Sequence, residues 1–163
     1  MENIFFSTIG QDSHRISENK QKELILGGIK FDDDFNLEAN SDGDVVLHAI
    51  TNAVSGGTGV NVLGRMADRM CKNGITDSKE YLKEALSFMD ENQSIVYLYI
   101  SIEAARPKFA NKIQDMRHSI ASLLGLHPRQ VTITATTGEG LTECGKGNGI
   151  FVTALMSFCL KKN

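Results

Sequence analysis

The sequence predicts an α/β chain of the α+β kind: a single domain with a mixed sheet of four to five strands and helices on one face. Three observations support this prediction. Segments with strand-like and helix-like spacing of apolar residues alternate irregularly along the chain. The length of 163 residues suits one ordinary domain. Two prolines, with no Ser/Pro-rich stretch and no internal repeat, leave no obvious linker, so we expect one domain over residues 1–163.

Two strands are predicted before the first helix. Residues 4–9 (IFFSTI) are typical of an opening strand, and the polar residues 10–15 (GQDSHR) are expected to form a loop at its end. Residues 24–31 (LILGGIKF) predict a second strand interrupted by glycines, followed by an acidic, turn-rich connection. The first helix is expected to begin near Ser41, because Ser41-x-x-Asp44 has the spacing of a capping pair.

Apolar residues recur at helical spacing after this capping pair. Val46, Ile50 and Ala53 mark the side that is predicted to face the core. At about 100° per residue, His48 falls on the opposite, polar stripe together with Asn52. We therefore expect His48 to be displaced from the core-facing side.

The remaining chain is predicted to alternate between helices and strands after an irregular segment. Residues 58–75 show no regular apolar spacing and are expected to form a loop. The elements predicted after it are a helix that opens at Asp77-x-x-Glu80, a strand at 94–104, a helix over 113–124 that stops at Gly125, a strand at 131–137 and a last strand at 150–160. A glycine-dense loop, GEGLTECGKGNG, precedes the last strand.

Composition and charge exclude several classes of protein. A hydrophobic content of 41% and a charged content of 23% are those of a globular chain. Apolar runs such as residues 150–160 are too short to span a bilayer, and the N-terminus lacks the features of a signal or transit peptide, so we expect a mature cytoplasmic protein without membrane contact. Three cysteines without metal-ligand spacing argue against a disulfide framework. A net charge of -3 offers no footprint for nucleic acid.

A candidate metal site combines Asp12-x-His14 with the distant His48. Side chains two apart on an extended segment lie on one side, so Asp12 and His14 can chelate together. One carboxylate and two imidazoles suit zinc or a similar ion, with a fourth position open for substrate. The alternative interpretation is a surface turn with a solvated histidine.

A candidate phosphate loop follows the ATT sequence. Successive glycines allow backbone N–H groups to converge on an anion, and Thr136 and Thr137 add hydroxyl donors. Glu139 has the chemistry to hold a hard cation such as Mg²⁺, and Lys146 supplies positive charge. A flexible hairpin without ligand is the alternative. The segment ARPK, at 105–108, lies at the end of an apolar strand and alone indicates little.

Together these segments resemble the 2-C-methyl-D-erythritol 2,4-cyclodiphosphate synthase family. The matching stretches are IGQDSHR, SDGDVVLHAITNAVSGG, ARPK and ATTGEGL followed by GKGNGI, and the likeness covers residues 4–160. It implies a homotrimer with sheets around a central axis and active sites between neighbouring subunits. It also implies a reaction in which the 2-phosphate of 4-diphosphocytidyl-2-C-methyl-D-erythritol 2-phosphate attacks the β-phosphorus, closes the cyclodiphosphate and expels CMP.

The resemblance also implies roles for individual residues. Asp12, His14 and His48 match the zinc ligands, and Glu139 matches the ligand of a second ion, Mg²⁺ or Mn²⁺. Thr137 matches a residue that stabilises the transition state, and Asn40 occupies the position of a second one. Residues 104–110 match the cytosine pocket. The substrate contacts carried over are Asp12, His14, Asn40, Ser41, Asn61, Leu63, Asp68, Ala104, Lys108, Ala110, Thr136, Thr137, Glu139, Glu143 and Lys146.

The chain departs from the family pattern at several of these positions. Asn40 replaces a histidine, and Asn61 replaces an aspartate that accepts from the ribose hydroxyls. Residues 66–70 keep only the first aspartate of the family's loop, while Glu143 replaces an aromatic residue and Lys146 an arginine. These changes leave two alternatives beside an active synthase: a trimeric homologue that binds CMP or isoprenoid diphosphates without turnover, and a metal-dependent phosphohydrolase with a shifted substrate.

Overall fold

Two long antiparallel strands form the centre of the fold in the computed structural model, which describes residues 3–162. The strands are β1 (Asn3–Ser17), β2 (Leu24–Leu26), β3 (Ile29–Phe31), β4 (Asn36–Leu37), β5 (Gln93–Glu103), β6 (Val131–Thr136) and β7 (Gly149–Lys161). The helices are α1 (Val45–Thr58), α2 (Arg65–Lys72), α3 (Ser78–Leu86) and α4 (Ile113–Leu124). The main sheet has five strands in the order β4-β1-β7-β5-β6, and the β5–β6 pair is parallel while the others are antiparallel. The mixed sheet is confirmed.

The segment 10–15, predicted as a loop, is the second half of β1. Pairing with β7 continues without interruption from Asn3 opposite Lys161 to Arg15 opposite Gly149. A polar segment can remain in a strand when its backbone hydrogen bonds are made by a neighbouring strand and its side chains face solvent or a site. The loop prediction was therefore wrong, and Asp12 and His14 lie on regular extended backbone.

The glycine-interrupted strand at 24–31 is a β-hairpin, made of β2 and β3 as a separate two-stranded sheet. Gly27 and Gly28 form its turn with φ of 62° and 75°, values that glycine adopts without steric penalty. The single-strand prediction was wrong at this point because Gly-Gly between apolar residues is a turn signal.

Helix α1 begins later than predicted, and Asp44 rather than Ser41 is its N-cap. The Asp44 side chain accepts from the backbone N–H groups of Val46 and Leu47 at 3.1 and 3.0 Å. It also accepts from Gly27 and Gly28 at 2.9 and 2.7 Å, so one carboxylate joins the helix to the hairpin turn. Burial raises the pKa of Asp44 to about 6, although the backbone hydrogen bonds oppose this rise.

Helix α1 is buried on nearly every side, including most of the polar stripe that contains His48. His48 is 7% exposed, Ser55 is 3% exposed and Thr51 is fully buried. These polar side chains are tolerated because each makes hydrogen bonds; the Thr51 hydroxyl, for example, donates to the Leu47 carbonyl at 2.7 Å. The polar side of α1 faces other elements: Asn52 donates to the Gln11 carbonyl of β1 at 2.9 Å, and His48 contacts Asp12 of β1 and Ser78 of α3.

A close approach of backbones brings α1 against β1. A Cβ atom at Gly10 would lie 2.0 Å from the carbonyl oxygen of Ala49 and 2.3 Å from the nitrogen of Ala53. Only glycine at this position allows the strand to pack directly on the helix backbone. The contact fixes the distance between the strand that carries Asp12 and the helix that carries His48.

Helix α2 was missed because residues 58–75 were expected to be irregular. Its N-cap, Gly64, makes no side-chain hydrogen bond, and the only buried residue in the helix is Ala67. The other predictions for the second half are confirmed: Asp77 caps α3 by accepting from Lys79, and α4 ends at Gly125 in the left-handed conformation.

None of the helices within residues 3–162 is both long and apolar enough to cross a membrane.

The helices cover one face of the main sheet, as predicted, and the other face remains open in the single chain. Large apolar side chains are exposed there: Phe5 is 68% exposed, Ile9 64%, Tyr99 48% and Leu155 37%. An apolar patch on a regular sheet is typical of a surface that another protein chain covers.

Candidate metal centre and adjoining pockets

The first two candidate ligands lie on the same side of β1. Asp12 is paired with Val152 of β7 and His14 with Ile150, so their side chains are two residues apart on one face of the strand. His14 is further fixed by its Nδ1 atom, which lies 2.9 Å from the carbonyl oxygen of Glu38. Because a carbonyl only accepts hydrogen bonds, Nδ1 carries the proton, and Nε2 presents a lone pair to the site.

The third candidate ligand, His48, comes from the first turn of α1. Its backbone N–H donates to the carbonyl of the capping residue Asp44 at 3.0 Å, which places the ring at the start of the helix. The Nδ1 atom of the ring faces Asp12 and His14, while Nε2 lies 2.8 Å from the Ser78 hydroxyl and 3.4 Å from the Ser41 hydroxyl. Both ring nitrogens therefore have defined partners.

The three side chains converge on one point. The Oδ2 atom of Asp12 lies 3.0 Å from Nδ1 of His48 and 3.1 Å from Nε2 of His14, and these two nitrogens are 3.1 Å apart. All three ligand atoms lie within 4.8 Å of one another. The predicted convergence of Asp12, His14 and His48 is confirmed, and the alternative of a solvated surface turn is not supported.

The chemistry of this cluster fits a divalent cation. With Nδ1 of His14 donating to the Glu38 carbonyl, its Nε2 atom presents a lone pair to Oδ2 of Asp12 at 3.1 Å. A carboxylate beside nitrogen lone pairs that point at a common centre is an arrangement that a cation stabilises.

A cavity of about 320 Å³ opens beside the three ligands. Four further predicted substrate residues line this cavity: Asn40, Ser41, Leu63 and Asp68. Sequence reasoning missed two of its other lining residues, Cys71 and Tyr81. The Cys71 thiol, on α2, donates to the carbonyl of Asn40 at 3.3 Å. Its place in the cavity was not predicted because residues 58–75 were expected to form a loop.

A second cavity, of about 200 Å³, lies between the segment after β5 and the end of β6. It collects the other predicted base-side and phosphate-side residues, which are Ala104, Lys108, Ala110, Thr136 and Thr137. Arg106 ties this segment to its surroundings, because its guanidinium donates to the Gly147 carbonyl at 3.3 Å and to Glu18 at 2.6 Å. The two cavities share no lining residue.

The glycine-dense loop carries Glu139, Glu143 and Lys146 on its surface, and Asn61 is exposed between α1 and α2. Glu139 has a positive φ of 52°, and its backbone N–H donates to the Thr137 hydroxyl at 3.4 Å. Glu143 accepts from Lys146 at 3.0 Å and from Asn148 at 2.7 Å, and these hydrogen bonds lower its pKa. Glu139, Glu143, Lys146 and Asn61 line neither of the two cavities described above.

The sheet with its helical layer and the Asp12–His14–His48 cluster define a mixed α/β protein with three side chains close enough to hold a metal ion. The model of the YgbB family matches residues 5–158. The chain belongs to the YgbB family.

Relatives in this family have informative names. The chain is 48% identical, over 161 residues, to a protein of Chlamydia muridarum named 2-C-methyl-D-erythritol 2,4-cyclodiphosphate synthase, covering 96% of this chain and 90% of that protein. The fold is similar to the bifunctional IspDF of Campylobacter jejuni, with a TM-score of 0.88 and 29% identity; the match covers 99% of this chain but only 44% of the bifunctional chain. It is also similar to the IspF of Plasmodium falciparum in its CDP complex, with a TM-score of 0.80, 26% identity and coverage of 98% and 97%.

Proposed function

We propose that this chain is a 2-C-methyl-D-erythritol 2,4-cyclodiphosphate synthase of the non-mevalonate isoprenoid pathway. It converts 4-diphosphocytidyl-2-C-methyl-D-erythritol 2-phosphate to the cyclic diphosphate and CMP. The observation that carries the proposal is the convergence of Asp12, His14 and His48 beside a polar cavity, in a chain that is 48% identical to a relative with this name. No observation on residues 3–162 favours the alternatives of a binder without turnover or a phosphohydrolase, and we do not propose them.

The reaction needs positioning and charge more than covalent help from the protein. The attacking phosphate and the phosphorus under attack belong to one molecule, so holding the substrate in a ring-closing conformation lowers the barrier. A Zn²⁺ or similar ion held by Asp12, His14 and His48 supplies Lewis-acid polarisation of a phosphate oxygen when it is bound. A second ion, Mg²⁺ or Mn²⁺, is assigned to Glu139.

Donor groups beside the metal centre have the right chemistry for the phosphates. The Asn40 amide and the Ser41 hydroxyl lie in the metal-side cavity, where each can donate a hydrogen bond to a phosphate oxygen. Asn40 can do so without bringing the positive charge of the histidine it replaces. The Thr137 hydroxyl is assigned the same task from the other cavity.

Cytidine recognition is assigned to the second cavity, because the backbone groups of residues 104–110 surround it and can pair with a flat base. A solved structure with 26% identity to this chain holds CDP, which agrees with a cytidine-linked ligand. Thr136 and Thr137 at the same cavity can meet the phosphate end of that ligand.

We further propose a homotrimer with active sites between subunits. The two cavities share no lining residue in one chain, so a substrate with a base at one end and phosphates at the other is best served by cavities of neighbouring subunits. The exposed sheet face around Phe5 and Ile9 supplies an apolar surface for assembly. The cytoplasm as the compartment stays a prediction from the sequence.

The direct test incubates the purified protein with the cytidyl substrate, Zn²⁺ and Mg²⁺ and follows the products by phosphorus NMR. We expect a cyclic diphosphate and CMP in equal amounts. Release of inorganic phosphate, or no change in the substrate, contradicts the proposed function. Metal analysis of protein purified without added salts tests the metal centre independently, and about one divalent ion per chain is expected at a three-ligand site.

A further inference from the structure

The outer nitrogen of His48 is held by a residue that no part of the proposed reaction uses. Its Nε2 atom lies 2.8 Å from the hydroxyl of Ser78, the first residue of α3. Ser78 is fully buried, so water cannot replace this contact. The Ser41 hydroxyl lies near the same nitrogen but at 3.4 Å, which makes Ser78 the dominant partner.

A carboxylate decides which way the Ser78 hydroxyl points. The Ser78 hydroxyl is in close contact with Oδ1 of Asp42. The other groups bonded to this carboxylate are also donors: the backbone N–H of Ser78 at 3.0 Å and that of Asp44 at 3.0 Å. A carboxylate only accepts, so the single hydroxyl proton of Ser78 is donated to Asp42. The serine oxygen is then left to accept from His48.

This order of donors and acceptors fixes the tautomer of the histidine. If Ser78 accepts, Nε2 of His48 carries the proton and Nδ1 carries the lone pair. Nδ1 is the atom that faces Asp12 and His14. The same logic applies at His14, whose Nδ1 donates to the Glu38 carbonyl.

We propose that Ser78 and Asp42 are positioning residues of the metal centre: the chain Asp42–Ser78–His48 holds the imidazole in the tautomer and orientation that present Nδ1 to a divalent cation. Outer groups that orient a ligand in this way raise metal affinity, and their loss typically weakens binding. The inference rests on the metal centre of the proposed function but not on its reaction. It also links α3 to the site, since Ser78 begins that helix.

The test measures Zn²⁺ affinity by competition with a chromophoric chelator, without substrate. We expect Ser78→Ala to weaken Zn²⁺ binding by about tenfold to a hundredfold. Ser78→Thr keeps the hydroxyl and is expected to restore most of the affinity. Ser87→Ala, at the C-cap of the same helix, is the matched control, because the Ser87 hydroxyl donates to the Glu84 carbonyl, and it is expected to bind like the unmodified chain. Unchanged affinity in Ser78→Ala, or a Thr variant as weak as the Ala variant, overturns the proposal.

A second measurement does not depend on the folding of any variant. Nitrogen-15 NMR of the imidazoles in the metal-free, unmodified protein reports which nitrogen of His48 is protonated. We expect Nε2 of His48 to carry a proton, and an unprotonated Nε2 overturns the proposal. If the unmodified chain binds no Zn²⁺, the metal centre of the proposed function fails while this measurement still tests the Asp42–Ser78–His48 chain. If it binds Zn²⁺ without cyclising the substrate, only the proposed reaction fails.

Discussion

The Oδ2 atom of Asp12 lies 3.0 Å from Nδ1 of His48, although 36 residues separate the two side chains in the sequence. One comes from the middle of β1 and the other from the first turn of α1. Their approach follows from Gly10, because the missing side chain at that position lets the strand contact the helix backbone at Ala49. The metal centre is therefore positioned by the packing of helix on sheet and not by a local loop.

Replacement of His48 tests the ligand assignment. We expect His48→Ala to lose the bound divalent ion, because only Asp12 and His14 remain. Since His48 is 7% exposed, the variant is also expected to lose about 1–3 kcal/mol of unfolding free energy through the lost hydrogen bond to Ser78 and the space left behind. Metal analysis and urea unfolding measure the two effects. His118→Ala, on the exposed side of α4, is the control and should change neither.

Substitution of Gly10 tests the close approach of β1 and α1. We expect Gly10→Ala to cost about 3 kcal/mol of unfolding free energy, because its Cβ would overlap backbone atoms that cannot move independently. The metal affinity should fall with it, since Asp12 shifts relative to His48. As a comparison, a Cβ at Gly74 would meet nothing, so Gly74→Ala carries only the left-handed backbone penalty of about 1–2 kcal/mol. Equal losses in the two variants would contradict the packing argument.

The Asp44 carboxylate joins α1 to the β2–β3 hairpin through four backbone N–H groups. An amide offers one acceptor oxygen where the carboxylate offers two. In Asp44→Asn the N–H₂ group therefore faces backbone N–H groups, with which it cannot form hydrogen bonds. We expect it to destabilise the fold by about 2–4 kcal/mol. Asp77→Asn provides the control, because Asp77 accepts from Lys79 alone and asparagine is also a good N-cap. Similar unfolding midpoints for the two variants would contradict the role given to Asp44.

The exposed sheet face predicts an oligomer that should dissociate when a charged side chain is introduced on that face. Light scattering after size exclusion should report a trimer for the unmodified chain and a smaller species for Ile9→Lys. The physical reason is that a lysine buried in an apolar interface loses its hydration. Phe88 is 39% exposed but lies outside the sheet, so Phe88→Lys should leave the trimer intact. A trimer that survives Ile9→Lys would place the interface elsewhere.

Removal of the Asn40 side chain tests the proposed donor to the phosphates. We expect Asn40→Ala to lower kcat by about a hundredfold, the effect of deleting one preorganised donor, with a smaller change in KM. Asn40→His restores a donor and should recover much of the rate. A fall in kcat/KM that arises from KM alone would show that Asn40 binds substrate without favouring the transition state.

The sequence predicted the convergence of Asp12, His14 and His48 correctly, for reasons that hold in the structure. Asp12 and His14 share a side because their spacing matches an extended backbone, even though the segment was expected to be a loop. His48 was placed on the right helix, but its burial was not foreseen, since the apolar pattern of α1 does not show that β1 and α3 pack against its polar side.

Other parts of the site left no such pattern in the sequence. Helix α2 begins at Gly64 without a side-chain cap and buries only Ala67, so neither start signal nor apolar spacing revealed it. Because α2 was not predicted, its residue Cys71 was not predicted to line the cavity. Tyr81 lies on α3, and its place beside the metal centre depends on how α3 packs on α1. Such contacts are set by tertiary structure and cannot be read from local spacing.

The burial of α1 on nearly all sides has a consequence for how the metal centre can be lost. The backbone amide of His48 donates to the Asp44 carbonyl at 3.0 Å in the interior of the molecule, so we expect its hydrogen to exchange with solvent only in large-scale opening of the fold. A ligand anchored in this way cannot fray independently. The centre is thus expected to persist at full occupancy up to the cooperative unfolding transition and to disappear with it in one step.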